Sequence, residues 1–224
     1  MEKINPIKRK INMLYYYLFR ERFSKKIDFK FDDVYRWDLI DHLNNKYNFS
    51  TYLEIGCNDD ELFSRITIKN KIGIDPVIGG NMKITSDNFF LQNKIMFDCV
   101  FIDGLHVYDQ VKKDILNSSK FLNQNGFILV HDCLPRSLSR QAVPRYRLTW
   151  NGDVWKAIVD LRRNPELEIF TCLADEGISI IQNKKNSNIL NLDKKISNLK
   201  FKDFYYNHKE YMRIINFEEF KNKY

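Results

Sequence analysis

The stretch Thr51-Tyr-Leu-Glu-Ile-Gly56 is a short, mostly apolar run that ends in a glycine. Its length and its apolar character predict a buried strand followed by a tight turn. Three runs of the same kind follow it along the chain. They are residues 71–75, 97–103 and 126–131. The spacing of these four runs decides the fold class.

Helical patterns fill the gaps between the runs. Residues 60–67 separate the first two, and residues 107–122, with apolar positions on one side, separate the last two. Strands that alternate with helices predict βαβ units and a parallel sheet. Residues 166–173 and 177–182 form two further apolar runs joined by a very short turn, so we expect them to pair antiparallel at one edge. The prediction is a Rossmann-like α/β fold with a mostly parallel, seven-stranded sheet flanked by helices, in which the six runs locate six of the seven strands.

The regions on either side of the predicted sheet are basic and helical. We predict an N-terminal basic helical segment (residues 1–48), a central α/β domain (49–184) and a C-terminal basic helical extension (185–224). Within the first segment, Ile11 to Phe23 has apolar residues at helical spacing with Lys and Arg between them. Such a helix can lie on an anionic membrane surface, or it can pack on its own domain or on a second subunit. Packing is the interpretation that we favour, because any surface helix is amphipathic.

The net charge of +7 is unevenly distributed along the chain. Residues 1–30 hold nine Lys and Arg against three acids, and residues 183–224 hold ten against five, so the middle of the chain is slightly acidic. A nucleic-acid-binding domain would carry its basic residues on the domain itself. We therefore predict that nucleic acid is not a partner.

Cysteine usage and hydropathy predict a cytoplasmic protein. The four cysteines are widely separated and form no CxxC pair, which is typical of a reduced compartment. No apolar stretch approaches the length of a transmembrane helix, and the start of the chain lacks the pattern of a signal peptide.

Glu54 and Gly56 end the first predicted strand, and Asp75 ends the second. In doubly wound folds an acid at the end of the second strand binds ribose hydroxyls, which indicates a nucleoside cofactor. A dinucleotide site needs G-x-G-x-x-G for the pyrophosphate, whereas the turn here has one glycine followed by the acids of residues 59–61. Those acids would repel a pyrophosphate but tolerate sulfonium and ammonium charges. The turn therefore favours S-adenosylmethionine over NAD.

The chain from residue 52 to residue 182 resembles the class I S-adenosylmethionine-dependent methyltransferases, and within them a bacterial group associated with the methylation of surface-polysaccharide sugars. The resemblance rests on six motifs. They are Tyr-Leu-Glu-Ile-Gly (52–56), Gly-Ile-Asp-Pro (73–76), Thr-Ser-Asp-Asn-Phe-Phe (85–90), Phe-Ile-Asp-Gly-Leu-His-Val-Tyr-Asp-Gln (101–110), His-Asp-Cys-Leu-Pro (131–135) and Trp-Asn-Gly-Asp-Val-Trp-Lys-Ala (150–157).

The resemblance implies a class I methyltransferase fold and a set of cofactor-binding residues. Glu54 and Gly56 would frame the methionine end of the cofactor, and Asp75 would hold the ribose. The remaining implied positions are Asp87 and Asn88 near the adenine, and Asp103 and Gly104 beside the methyl group. Many members of the family carry another glycine where this chain has Asn58 or Asp60.

Polar residues follow the third and fourth of the predicted strands: Asp103 and His106 after one, His131 and Asp132 after the other. If the two strands are neighbours, these groups meet at one edge of the sheet. In one interpretation Asp103, His106 and His131 are catalytic, with a His or an Asp as the general base for a hydroxyl acceptor. In the other, Asp103, His131 and Asp132 bind Mg²⁺ or another divalent ion. Some related sugar methyltransferases bind a metal through carboxylates after these two strands. We favour the first interpretation, because this chain has Cys133 where the resemblance implies a second consecutive carboxylate.

The segment from Pro135 to Asp153 is irregular and rich in arginine, and we predict that it covers the acceptor. The substrate-binding candidates are Asp132, Arg145, Arg147, Trp150 and Asp153, where the arginines suit an acceptor that carries phosphate or carboxylate. Asp153 is alternatively a helix N-cap.

We predict methyl transfer from S-adenosylmethionine to a hydroxyl of a sugar, either nucleotide-linked or in a surface-glycan precursor; the sugar is implied by the resemblance alone. Transfer to a nitrogen, and a non-catalytic module that binds a nucleoside or a membrane, are the alternatives. A homo-oligomer is compatible with the sequence.

Overall fold

A computed structural model describes residues 5–224 of the chain. Its strands form one seven-stranded sheet in the order β2-β1-β3-β4-β6-β5-β7. The strands are β1 (Thr51–Ile55), β2 (Asn70–Ile74), β3 (Phe97–Ile102), β4 (Leu122–Val130), β5 (Leu167–Cys172), β6 (Ile178–Asn183) and β7 (Ile214–Ile215).

Eight α-helices surround the sheet in the described part of the chain. They are α1 (Pro6–Phe19), α2 (Arg36–Tyr47), α3 (Glu61–Arg65), α4 (Ser86–Gln92), α5 (Tyr108–Lys120), α6 (Val154–Leu161), α7 (Phe201–Met212) and α8 (Phe217–Lys223). A short 3-10 turn, Ile196–Asn198, precedes α7.

The pairing of the strands confirms the predicted fold class. Strands β2, β1, β3 and β4 pair parallel, and β6 pairs antiparallel with both β4 and β5. The sheet is thus Rossmann-like, with four parallel strands and an antiparallel pair. Strand β7 adds two residues parallel to β5 at the outer edge, and it comes from the C-terminal extension.

Both faces of the sheet are buried, which explains why its central strands are mostly apolar. Along β3, Val100 and Ile102 belong to one hydrophobic core, and Cys99 and Phe101 belong to the other. Helices α4, α5, α6 and α7 cover the first face, whereas α2, α3 and α8 cover the second. The two cores hold the parallel strands in register, and their carboxyl ends therefore form one rigid edge.

The four cysteines are all buried and all free. Burial raises the pKa of the Cys133 and Cys172 thiols to about 12, so neither is ionised near neutral pH.

Helix α1 contacts the rest of the chain along a narrow line. The amide of Asn12 donates to the carbonyl oxygen of Arg145 over 2.8 Å, and the buried Tyr16 hydroxyl accepts from Gln141 over 2.7 Å. Its apolar residues, in contrast, are largely exposed. The apolar side of α1 therefore does not pack on its own domain, contrary to one part of the interpretation that the sequence favoured. None of the helices within residues 5–224 combines the length and hydrophobicity needed to cross a bilayer.

Candidate active site

A cavity of about 250 Å³ opens at the carboxyl ends of β1 and β3. Parallel α/β sheets bind ligands at this edge. Several predicted site residues line it, as do residues of the turn after β1 and of α2. The lining residues are Arg36, Glu54, Gly56, Cys57, Asn58, Asp59, Glu61, Leu62, Phe101, Asp103, His106, His131 and Asp132.

Gly56 lets the backbones after β1 and β3 approach each other. Its φ is +91°, and a Cβ atom there would lie 2.3 Å from the carbonyl oxygen of Asp103. No side chain fits such a gap. The neighbouring position, Gly104, is less constrained, because a Cβ there would meet its nearest atom, in Ile55, at 3.5 Å.

The turn after Gly56 uses residues other than glycine in the left-handed conformation. Asn58 has a φ of +49° and Asp60 has a φ of +61°. Asn and Asp tolerate this region better than other residues that carry a side chain. The turn therefore follows a path of the kind that glycine permits, at the positions where the resemblance led us to expect a second glycine.

Asp75 supports the wall of the cavity through backbone hydrogen bonds. Its carboxylate accepts from the amide of Asn58 over 3.2 Å and from the amides of Val77 and Ile78 over 2.8 and 3.0 Å. This residue thus joins the turn after β1 to the loop after β2, and it is not among the residues that line the cavity.

The two residues expected near an adenine lie on α4, outside the cavity lining. Asp87 accepts from Lys113 over 2.6 Å and from Gln110 over 3.2 Å. The exposed Asn88 lies in the first turn of the helix, where its backbone amide donates to the hydroxyl of Thr85 over 3.3 Å. The structure therefore does not bring this pair together with Glu54 and Asp103.

Glu54 is a buried carboxyl at the floor of the cavity. It is 2% exposed, and it accepts a hydrogen bond of 2.7 Å from the hydroxyl of Tyr52. Burial raises its pKa to about 7, against the lowering effect of that hydrogen bond.

Asp103 is the centre of a charged cluster. Its Oδ1 lies 3.0 Å from Nε2 of His106 and 3.2 Å from Nδ1 of His131, and its Oδ2 accepts from Arg36 over 3.1 Å. Asp132 closes the cluster, with Oδ2 3.1 Å from Nδ1 of His106. The expected convergence of polar groups after β3 and β4 is therefore present.

The charged groups of the cluster shift the pKa values of one another. Burial would raise the pKa of Asp103, but His131 and His106 lower it well below its usual range. Burial would lower the pKa values of both imidazoles, but the two carboxylates raise them, and His131 is raised strongly. The pKa of Asp132 is raised, because burial outweighs the nearby imidazoles. His131 is therefore held as a cation, and Asp132 is a stronger base than Asp103.

Residues from the irregular segment complete one side of the cluster. The side chain of Asn151, itself buried, donates to Asp132 over 2.7 Å, and the ring of Trp150 stacks on His106 at 5.5 Å between centroids. Gly152, at a φ of +62°, leaves no room for a Cβ against the carbonyl oxygen of His106. This segment therefore packs directly against the predicted catalytic residues.

The other substrate-binding candidates are farther from the cluster. Arg145 donates to the carbonyl oxygens of Arg147 and Leu148, and Arg147 is exposed. Asp153 precedes α6, but its side chain accepts from the amide of Tyr108 over 2.8 Å and so caps the start of α5. Neither Arg145 nor Arg147 is among the residues that line the cavity.

Two members of the charged network were missed in the sequence. Arg36, at the start of α2, bridges Asp103 and Asp175, with its Nε 2.6 Å from Oδ2 of Asp175. Asp175 lies in the turn between β5 and β6, and its Oδ1 is 3.5 Å from Nε2 of His131. The short Ala-Asp-Glu turn was visible in the sequence, but nothing there indicated that it faces His131.

Asp103, His131 and Asp132 are also arranged as metal ligands. Each offers one donor atom, and the three atoms lie within 4.8 Å of one another. Two carboxylates and an imidazole fit a divalent cation, and the imidazole favours a transition metal over Mg²⁺.

Comparison with protein families supports a chemical class for this edge of the sheet. A family model described as a methyltransferase domain matches residues 75–133. Over this segment the chain is similar to methyltransferase domains. The match begins at the end of β2 and ends after β4, so it includes Asp103, His106, His131 and Asp132. Comparison with curated proteins finds no match.

The chain is also similar to solved structures of methyltransferases. The SAH-bound methyltransferase PaMTH1 of Podospora anserina is 16% identical, with 83% of this chain and 100% of that chain covered and a TM-score of 0.47. An O-methyltransferase from Bacillus cereus in complex with SAH is 9% identical, with 78% and 97% covered and a TM-score of 0.48. MycE, from the mycinamycin biosynthetic pathway, in complex with Mg and SAH, is 12% identical, with 69% and 50% covered and a TM-score of 0.45.

Proposed function

We propose that this methyltransferase moves the methyl group of S-adenosylmethionine to a hydroxyl of a sugar, in a nucleotide-linked or surface-glycan precursor, by in-line displacement in the cytoplasm. The observation that carries the proposal is the cavity at the ends of β1 and β3, where Glu54 and Gly56 meet the cluster around Asp103. The sugar rests on the resemblance of the sequence motifs to the polysaccharide-associated group.

The charges around the cavity suit this cofactor. Five of its lining residues are carboxylic acids, against one arginine and two histidines, so acids are in the majority. Such a site repels a pyrophosphate and attracts the sulfonium and ammonium groups of S-adenosylmethionine. Glu54 and Gly56 would hold the methionine end, Asp75 the ribose and Gly104 the methyl side, while Asp87 and Asn88 could meet an adenine only at the outer end of the site.

S-adenosylmethionine supplies a methyl group on a good leaving group, so the protein has two tasks: to align the acceptor oxygen and to remove its proton. Asp132 is the best base in the cluster, because burial raises its pKa while Asn151 fixes its position. His131, held as a cation, and His106 both contact Asp103 and Asp132 and keep them in place, and Trp150 fixes the ring of His106. The proton of the hydroxyl would pass to the carboxylate of Asp132.

The decisive test is isothermal titration of the purified protein with S-adenosylhomocysteine. We expect micromolar binding that is weakened strongly in Asp75→Ala and less in Asp75→Asn, since the amide keeps an acceptor oxygen for the loop. Asp193→Ala, the same change at an exposed position remote from the cavity, is the control. A folded wild-type protein that does not bind would overturn the proposal and favour a non-catalytic module.

A metal-assisted variant of the same reaction is the second candidate, and the geometry of Asp103, His131 and Asp132 favours it. The ion would lower the pKa of the acceptor hydroxyl. Because His131 holds a proton here, binding would release that proton, and affinity would rise with pH. Calorimetry with Mn²⁺ on the wild type and on Asp132→Asn tests this directly. Turnover that survives dialysis against EDTA would overturn the metal-assisted variant, and base catalysis without a metal would then be the mechanism.

A further inference from the structure

Helix α1 carries an apolar stripe that faces away from the protein. Each residue of an α-helix advances about 100°, so Ile7, Ile11, Leu14 and Leu18 fall on one side. Asn12 and Tyr16, which touch the body, fall on the opposite side. The four side chains of the stripe are 70%, 61%, 58% and 52% exposed, in that order.

The charges of α1 identify what covers the stripe. Residues 5–20 contain four Lys and Arg and no acid. Lys8 and Lys10 fall on the two flanks of the stripe, where long basic side chains can reach lipid headgroups while their stems lie along apolar surface. A helix with an apolar face and basic flanks is suited to the interface of an anionic bilayer.

A second copy of the chain is a poorer occupant for the same stripe. A two-fold dimer would place identical surfaces against each other. Each copy would bring the four cations of residues 5–20 to the interface, with no acid in that stretch to pair with the cations of the other copy. The repulsion between like charges disfavours self-association.

We propose that α1 docks the protein on an anionic lipid surface, with Ile7, Ile11, Leu14 and Leu18 in the headgroup–acyl boundary and Lys8 and Lys10 at the headgroups. The proposal does not depend on the acceptor or on methyl transfer. It concerns a surface that is separate from the cavity at the ends of β1 and β3.

The test is co-sedimentation of the full chain with vesicles. Phosphatidylcholine vesicles are compared with vesicles that also contain about one-third phosphatidylglycerol. We expect binding to the anionic vesicles only, weakened by salt. Leu14→Glu and Leu18→Glu are each expected to weaken it at least about tenfold, because each removes a buried leucine and adds a charge. Lys8→Gln with Lys10→Gln would weaken binding to anionic vesicles through the lost charge alone.

Leu91→Glu is the matched control, since Leu91 is an exposed leucine on α4 and lies off the stripe. It is expected to bind vesicles as the wild type does. All these side chains are exposed, so the variants should fold, and unfolding curves verify this. Failure of the wild type to bind anionic vesicles, or binding by Leu14→Glu at the wild-type level, would overturn the proposal. So would a dimer in analytical ultracentrifugation that Leu14→Glu converts to a monomer, since a second copy would then cover the stripe.

Discussion

Glu54 shows how a buried carboxyl ties the stability of the fold to pH. Its pKa is about 7 in the folded chain against 4.5 for an ordinary glutamate, so unfolding releases a proton between these values. The contribution of Glu54 to the free energy of unfolding is therefore complete below about pH 4.5, and it is lost as the pH rises to about 7. The total loss is about 3 kcal/mol.

Glu54→Gln removes this dependence and keeps an acceptor for the Tyr52 hydroxyl. We expect the free energy of unfolding of the variant, relative to the wild type, to rise by about 2 to 3 kcal/mol between pH 5 and pH 8. Urea unfolding at the two pH values measures the change. Tyr52→Phe should act in the opposite direction, because it removes the hydrogen bond that lowers the pKa of Glu54. Parallel curves for the wild type and Glu54→Gln would contradict the expectation.

Gly56 and Gly104 are a matched pair for mutation, because both were predicted to bind the cofactor but only Gly56 has no room for a side chain. Gly56→Ala would force a Cβ against the backbone of Asp103 at a positive φ, so we expect a loss of more than about 1 kcal/mol and of S-adenosylhomocysteine binding. Gly104→Ala meets only ordinary contact distances and should keep both. Thermal unfolding and calorimetry on the two variants decide the point, and similar losses in both would show that the steric argument is wrong.

Neighbouring parallel strands explain which parts of the site were predictable. Asp103, His106, His131 and Asp132 follow adjacent strands, so their convergence could be predicted from the strand pattern alone. Arg36 and Asp175 come from elements before and after those strands, and no local pattern places them at this edge. The protonation states also escaped prediction, since they depend on distances of about 3 Å between the side chains.

At the scale of elements, the segment between β4 and α6 is irregular, as predicted, and it packs against Asp132 and His106; that it covers the acceptor stays a prediction. Its Arg145 organises the segment by donating to two carbonyl oxygens, whereas Arg147 is exposed. We expect Arg147→Gln to raise KM for an anionic acceptor, and Arg145→Gln to raise it further, because the second change also loosens the loop. KM for S-adenosylmethionine should change little in either. Equal increases in both KM values would place the segment outside the acceptor site.

The sequence predicted a seventh strand without locating it, and the small size of β7 explains why. Two residues, Ile214 and Ile215, cannot show the alternation by which strands are predicted, and they lie between two helical patterns. Arg213, at a φ of +43°, ends α7 and turns the chain into this strand. The sheet is thus completed by a segment whose sequence indicates only helices.

For the whole molecule, strand spacing was sufficient to predict the sheet, its mostly parallel pairing and the antiparallel strands. The relation between α1 and the body was not predictable, because amphipathic spacing looks the same whether the apolar side faces a core or a lipid surface. Only the placement of Asn12 and Tyr16 against the body shows which side is turned outward. The orientation of a surface helix is a property of the assembled fold.

Alkylation of the buried cysteines can measure how the molecule unfolds. An alkylating reagent attacks a thiolate, and these thiols are shielded from solvent and, at Cys133 and Cys172, hard to ionise. Cys57 lines the cavity, whereas Cys99 and Cys172 belong to one core and Cys133 to the other. We therefore expect mass spectrometry across a urea titration to find these three core cysteines labelled together or not at all. A species with only one or two of the three labelled would reveal a part of the sheet that opens alone. The labelling rate without denaturant would then measure how often the native protein unfolds.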